Sequence, residues 1–122
     1  MPGEYRIDRS ERVVYSRAWG VFTDADLAEI RAALFKDPAF NPDLAILIDL
    51  SDVTELKLTS RALLNLAMTT RFAPTVRRAL VASSDVAYGM GRMFAILTGR
   101  EERVQVFRDR ASALEWLGVR SR

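Results

Sequence analysis

The stretch "LAILIDLSDVTELKLTS", Leu44 to Ser60, decides the architecture. Its first half, Leu44 to Leu50, is a nearly continuous apolar run. Such a run suits a central strand covered on both faces. Beyond it the apolar residues thin out, Asp52 and Glu55 stand among polar neighbours, and a loop is expected before Thr59. Thr59-Ser60 then opens a helix. Leu63, Leu64 and Ala67 mark its buried face up to about Phe72, and Pro74 lies just past its end.

The same pattern repeats on either side. "YRID" (Tyr5 to Asp8) and "RVVYSRAW" (Arg12 to Trp19) flank a turn at Ser10-Glu11 and read as a hairpin, with Gly20 ending the second strand. Thr23 with Asp26 forms a capping box. Leu27, Ile30 and Leu34 follow on one helical face, and Pro38 closes that helix. "RRALVASS" holds a fourth strand, Asp85 to Leu97 a third helix, and "RVQVF" (Arg103 to Phe107) a fifth strand. Asp109 caps a last helix that Gly118 stops. The order is β-β-α-β-α-β-α-β-α. It predicts an α/β fold with a single, mostly parallel sheet of about five strands, an N-terminal antiparallel hairpin and four helices. One domain is expected over residues 1–122.

Composition narrows the chemistry. The chain has no cysteine and no histidine. Disulfides, thiolate nucleophiles, Cys/His zinc sites and imidazole acid–base catalysis are therefore excluded together. No G-x-S-x-G elbow and no paired carboxylates at recognisable spacing appear, so no catalytic residue, metal ligand or cofactor is assigned. The 18 basic and 16 acidic residues leave a net charge of +2, and acids and bases are interspersed. That pattern is not a nucleic-acid footprint. No apolar run is long enough to span a membrane, and "MPGEYRIDRSER" lacks an apolar core for secretion, so the cytoplasm is the expected compartment.

Several of these segments resemble the STAS domains, typified by anti-sigma-factor antagonists, and especially their SpoIIAA-like relatives. "RAWGVFTDADLAEIRAAL" is similar to the segment in which a strand ends at a glycine and a polar turn starts the first helix. "LAILIDLSDVTELKLTS" resembles the family's central strand and switch loop, usually D-[LF]-S-x-V-x-x-[IM]-D-S-[ST]-G. "VQVFRDRASALEWLGV" looks like the closing strand and helix. In the switch loop Asp49, Leu50, Ser51, Val53 and Leu56 match the pattern. Lys57 stands in place of the usual aspartate, Leu58 in place of the phosphorylated serine, and Ser60 in place of the glycine. A leucine cannot accept phosphate. Thr59 and Ser60 remain the candidate phosphorylation positions, although helix capping accounts for both.

Two further groups of residues stand out. Open α/β sheets place ligands beyond the carboxyl ends of their strands. Asp49 and Ser51 lie at one such end, and Ser83, Ser84 and Asp85 at the next. With Thr59, Ser60, Tyr88 and Arg92 they make a candidate binding surface. "YGMGRM" places two glycines inside a helical pattern, at about 1 kcal/mol each relative to alanine. Close packing or a helix that starts after Gly91 would explain that cost. Met68, Phe72, Met90, Met93 and Phe94 fill a core or line an apolar pocket. The resemblance implies a non-enzymatic regulatory domain that binds a protein partner, without the usual phosphoserine switch. SpoIIAA-like chains also resemble the core of CRAL-TRIO lipid-transfer domains, which makes a module for an apolar or amphipathic small molecule the alternative. A homodimer is left open.

Overall fold

The computed structural model describes residues 2–119. The strands are β1 (Gly3–Asp8), β2 (Val13–Thr23), β3 (Ala45–Lys57), β4 (Arg78–Val81) and β5 (Val104–Phe107). The helices are α1 (Asp24–Lys36), α2 (Ser60–Met68), α3 (Asp85–Thr98) and α4 (Arg110–Leu117). The five strands form one sheet in sequence order, β1-β2-β3-β4-β5. Only the β1–β2 pair is antiparallel.

Sequential order has a consequence for layering. Crossovers of one hand between neighbouring parallel strands deliver their helices to the same face of the sheet. Accordingly α1, α2 and α3 share one face, where Leu34, Leu63 and Phe94 pack with Ile46, Ile48 and Leu80. The opposite face receives α4, whose Ala113 and Leu114 pack on Leu47, Ala79 and Val81. Alternation along β3 thus sends Ile46 and Ile48 to one layer and Leu47 to the other.

Each helix starts where a side-chain oxygen can satisfy a free N–H. Thr23, Thr59, Ser84 and Asp109 are the N-caps, and Thr23 with Asp26 completes a reciprocal box. Gly99 and Gly118 end α3 and α4 in left-handed conformation, with φ of 68° and 78°.

The structure corrects the expected loop after Leu50. β3 continues through Ser51–Leu56 to Lys57, paired along its outer half with β2 alone, because β4 reaches only as far as Asp49. Two register shifts, at Arg17/Trp19 and Gly20/Val21, absorb the mismatch. A strand paired on one edge needs few inward apolar residues, and Val53 and Leu56 supply them, so its sequence reads as loop. For the same reason Gly20 does not end β2. It bends the strand with φ of 64° and β2 runs on to Thr23. The second helix is also shorter than expected, ending at Met68 rather than Phe72.

The two glycines of α3 have different roles. The helix is continuous through both. A Cβ on Gly91 would lie 2.9 Å from Val106 Cγ2 and 3.2 Å from Cγ1, so close packing of α3 on β5 requires glycine there. A Cβ on Gly89 would meet nothing within 4 Å. Gly91→Ala is therefore expected to destabilise, because overpacking against a stiff β-branched side chain costs about 1–3 kcal/mol and outweighs about 1 kcal/mol of helix propensity. Gly89→Ala is expected to stabilise by up to about 1 kcal/mol. Denaturant titration of both variants reads the two signs; shifts in the same direction would contradict the Gly91–Val106 contact.

Candidate functional site

Between the sheet and its three-helix layer lies a partly enclosed pocket of about 130 Å³. The floor is sheet: Ala18 and Phe22 from β2, Ile46, Ile48 and Leu50 from β3, and Leu80 from β4. Period-two alternation puts these residues on one face. Leu27, Ile30 and Leu34 of α1 form one wall, and Leu63 and Leu66 of α2 a second. Met90, Gly91 and Phe94 of α3 form the third. Leu58, in the link from β3 to α2, also lines the pocket. The wall is almost wholly apolar. For scale, an apolar cavity of about 150 Å³ is enough to hold benzene.

Tyr5, Ser16 and Arg17 border the pocket from β1 and β2, and Arg31, Thr70 and Arg78 border it near the turn after α2. Arg78, the first residue of β4, is only 7% exposed. Its Nη1 donates to Thr70 Oγ1 at 3.5 Å. Arg31, on α1, donates from Nη2 to the carbonyl and hydroxyl of Thr69, while its Nε is buried with no partner. Among the described residues no carboxylate forms an ion pair with either arginine. Burial, and secondarily the nearby Arg100 cation, holds Arg78 below the usual arginine value; burial does the same to Arg31. Arg71 completes the cluster by donating to the Phe35 carbonyl at 2.8 Å. Phe35, Phe40 and Phe72 stack edge-on or tilted beside it, with centroids 5.1 to 5.9 Å apart.

Of the five residues expected to supply an apolar pocket, Phe72, Met90 and Phe94 line this one. Met68 and Met93 do not: they are 71% and 45% exposed. Met93 follows buried Gly91 by two residues, about 200° around the helix, and Met68 lies about 100° from buried Ala67. Helical position decides the matter, and methionine composition does not.

The candidate polar surface divides in two. Asp49 and Ser51 do not end β3, which runs on to Lys57; they lie level with the carboxyl end of β4, where Asp49 accepts from the Ser51 N–H at 2.9 Å and from Arg110 Nη1 at 3.3 Å. Ser83 Oγ donates to the Ser51 carbonyl at 3.3 Å. Arg108 joins three more residues: it donates to the Ser83 carbonyl at 3.2 Å, pairs with Asp85 at 2.9 Å and lies 4.2 Å from the centre of the Tyr88 ring. Ser84 accepts from the Ala87 N–H at 3.1 Å as the cap of α3. Arg92 lies further along α3, where it and Tyr88 border a polar hollow with Glu101 and Gln105. Thr59 is bound elsewhere. Its hydroxyl donates to Asp24 Oδ2 at 2.8 Å and accepts from the Ala62 N–H at 3.1 Å. Ser60 begins α2 beside it.

Sequence reasoning missed Arg31, Arg78, Arg108 and Arg110. The last two sit within patterned, amphipathic segments where a lone arginine looks like a solvated side chain. Arg78 carried one readable signal: it directly precedes "ALVA", so the strand's buried run begins at a cation.

Among the described residues no group of three or more His, Cys, Asp or Glu is placed to hold a metal ion. Among the described residues no helix is long and apolar enough to cross a membrane. No family model matches the chain, and no curated protein matches it. Solved structures do. One is an uncharacterized protein of the DUF3478 family from Shewanella loihica PV-4, which has a SpoIIAA-like fold. It superimposes with a TM-score of 0.66 over 94% of this chain and 93% of its own, at 22% sequence identity. At that identity the likeness is one of architecture, and it agrees with the sheet order, the N-terminal hairpin and the four helices: the chain has a SpoIIAA-like fold.

Proposed function

We infer that this domain is a non-enzymatic binding module that holds an apolar or amphipathic small molecule between its sheet and α1–α3. The observation that carries this reading is the pocket itself. Ile48, Leu58, Leu63 and Phe94, from four separate segments, pack in one cluster and still leave a shared space along their border. Interiors normally pack to crystal density, and a void forfeits the contacts its lining would otherwise make. An apolar occupant restores them. Titration of the native protein with octan-1-ol and decan-1-ol, followed by NMR shifts of the pocket methyl groups, tests the reading. Saturable shifts confined to the pocket are expected, and Leu58→Trp should weaken them at least about tenfold by filling the space. Shifts that never saturate, or that ignore Leu58→Trp in a folded variant, would refute it.

A second reading keeps the regulatory role of STAS-like domains, exercised on a protein partner. What favours it is the outer surface of α2 and α3, two helices in contact with each other. Leu64, Met68, Val86, Met93 and Ile96 are all exposed there. Exposed apolar side chains in number are a feature of interaction surfaces. This role would operate without the usual phosphoserine switch, since Leu58 stands at the switch position and faces the pocket. A phosphate on Thr59 would displace the Asp24 hydrogen bond and face that carboxylate. Cross-linking in cells with Val86→Glu/Ile96→Glu is the test: a partner captured equally by this variant does not use the surface.

A further inference from the structure

We propose that the pocket's ligand is an amphipathic anion, with a carboxylate or comparable small anionic head at Arg78 and Arg31 and its hydrocarbon part over the apolar wall. The proposal rests on the small-molecule reading above and specifies the chemistry of the occupant.

A guanidinium presents five N–H donors and no acceptor. Arg78 is more than nine-tenths buried, yet its one side-chain hydrogen bond among the described residues is the 3.5 Å contact with Thr70. The face of the Phe94 ring lies 5.7 Å from its guanidinium carbon, which offers a cation–π contact and no counter-charge. Its charged neighbour is another arginine, Arg100. A buried charge ordinarily needs a paired, hydrogen-bonded partner. Here no carboxylate pairs with it among the described residues, and Arg78 borders the pocket.

Arg31 adds a second cation. It borders the same pocket, and its Nε is buried without a partner. Arg31 and Arg78 approach from different elements, α1 and β4, and converge on adjacent residues, Thr69 and Thr70. The two cations hydrogen-bond to one turn, and the guanidinium fork is the group that carboxylates and phosphates pair with best. Of the other polar residues on the wall, Arg17 already pairs with Glu4 and Asp52, and the remaining lining is mainly apolar, so the ligand carries one small charged end and is otherwise hydrocarbon.

The test compares octanoate, octan-1-ol and octylamine on the same protein at neutral pH by calorimetry. Charge-assisted hydrogen bonds predict that octanoate binds about 10- to 100-fold more tightly than octan-1-ol, with octylamine weakest. Arg78→Met should erase the preference for octanoate while leaving octan-1-ol bound, and thermal unfolding confirms that the variant is folded. Equal affinities of octanoate and octan-1-ol in the unmodified protein would overturn the anion proposal and leave the apolar pocket standing. Retention of the preference in folded Arg78→Met would overturn the assigned head-group site. Failure of all three compounds to bind would remove the pocket reading itself, and this proposal with it.

Discussion

Phe94→Ala is expected to cost about 3–5 kcal/mol of folding stability and to enlarge the pocket. Phe94 is 4% exposed and packs in the cluster formed by Leu63, Ala67, Leu80, Ala95 and Val104. It belongs to the wall between the pocket and the core. Removing it deletes the transfer energy of a whole ring and leaves space that the sheet floor cannot follow inward, because β3 and β4 are fixed by their ladder. The cost therefore falls in the usual range for a buried aromatic. Arg78 also loses the ring beside its guanidinium. Denaturant titration should show a lower midpoint with an unchanged slope. An apolar probe too large for the native pocket should bind the variant, and its failure to do so would show that the helices collapse into the gap.

Leu47→Ala is expected to cost about 2–5 kcal/mol, toward the upper end, and to leave the pocket's ligand preference unchanged. Leu47 is fully buried at 0% exposure, near the start of β3 with β2 and β4 on either side. Two ladders hold its backbone, so the site relaxes little. Its side chain meets Ala79, Val81, Ala113 and Leu114 in the α4 layer, on the face opposite the pocket. The pair of variants thus separates stability from binding: Phe94→Ala should change both, Leu47→Ala only the first. Altered affinity for octanoate in Leu47→Ala at a temperature where it is folded would mean that the two faces of the sheet communicate.

Much of this fold is legible in the sequence because its buried elements are strongly patterned. The run Ala45–Leu50, the capped starts at Thr23, Thr59, Ser84 and Asp109, and the closing Gly118 each carry a local physical signal. The outer half of β3 carries a weaker one. Ser51, Asp52, Thr54 and Glu55 are exposed, and their strand conformation comes from pairing with β2, a partner distant in the chain. The pocket was legible only in part. Phe72, Met90 and Phe94 could be named from composition, but the wall also draws on Ala18, Leu27 and Leu58, which only the topology brings together. Leu58 illustrates the limit. The sequence marks it as a leucine where a switch serine is usual, and only the structure turns that substitution into part of an apolar wall. The buried Arg78 was hardest to see, since burial of a cation runs against the ordinary preference of the residue.

The sequential strand order bears on how the chain assembles. Every strand pairs with the one before it, so no strand waits for a partner from the far end of the polypeptide. Each parallel pair is closed by a single helical crossover, which costs less loop-closure entropy than pairing across the whole chain. The sheet can be laid down in chain order, each helix docking as its crossover closes. The pocket is different, because its walls come from α1, α2 and α3 and are complete only when the last of these is in place. A ligand that requires all three walls binds the finished molecule and not its precursors. By mass action it then raises the unfolding temperature in proportion to the logarithm of its concentration, and so acts on the lifetime of the protein as well as on its occupancy.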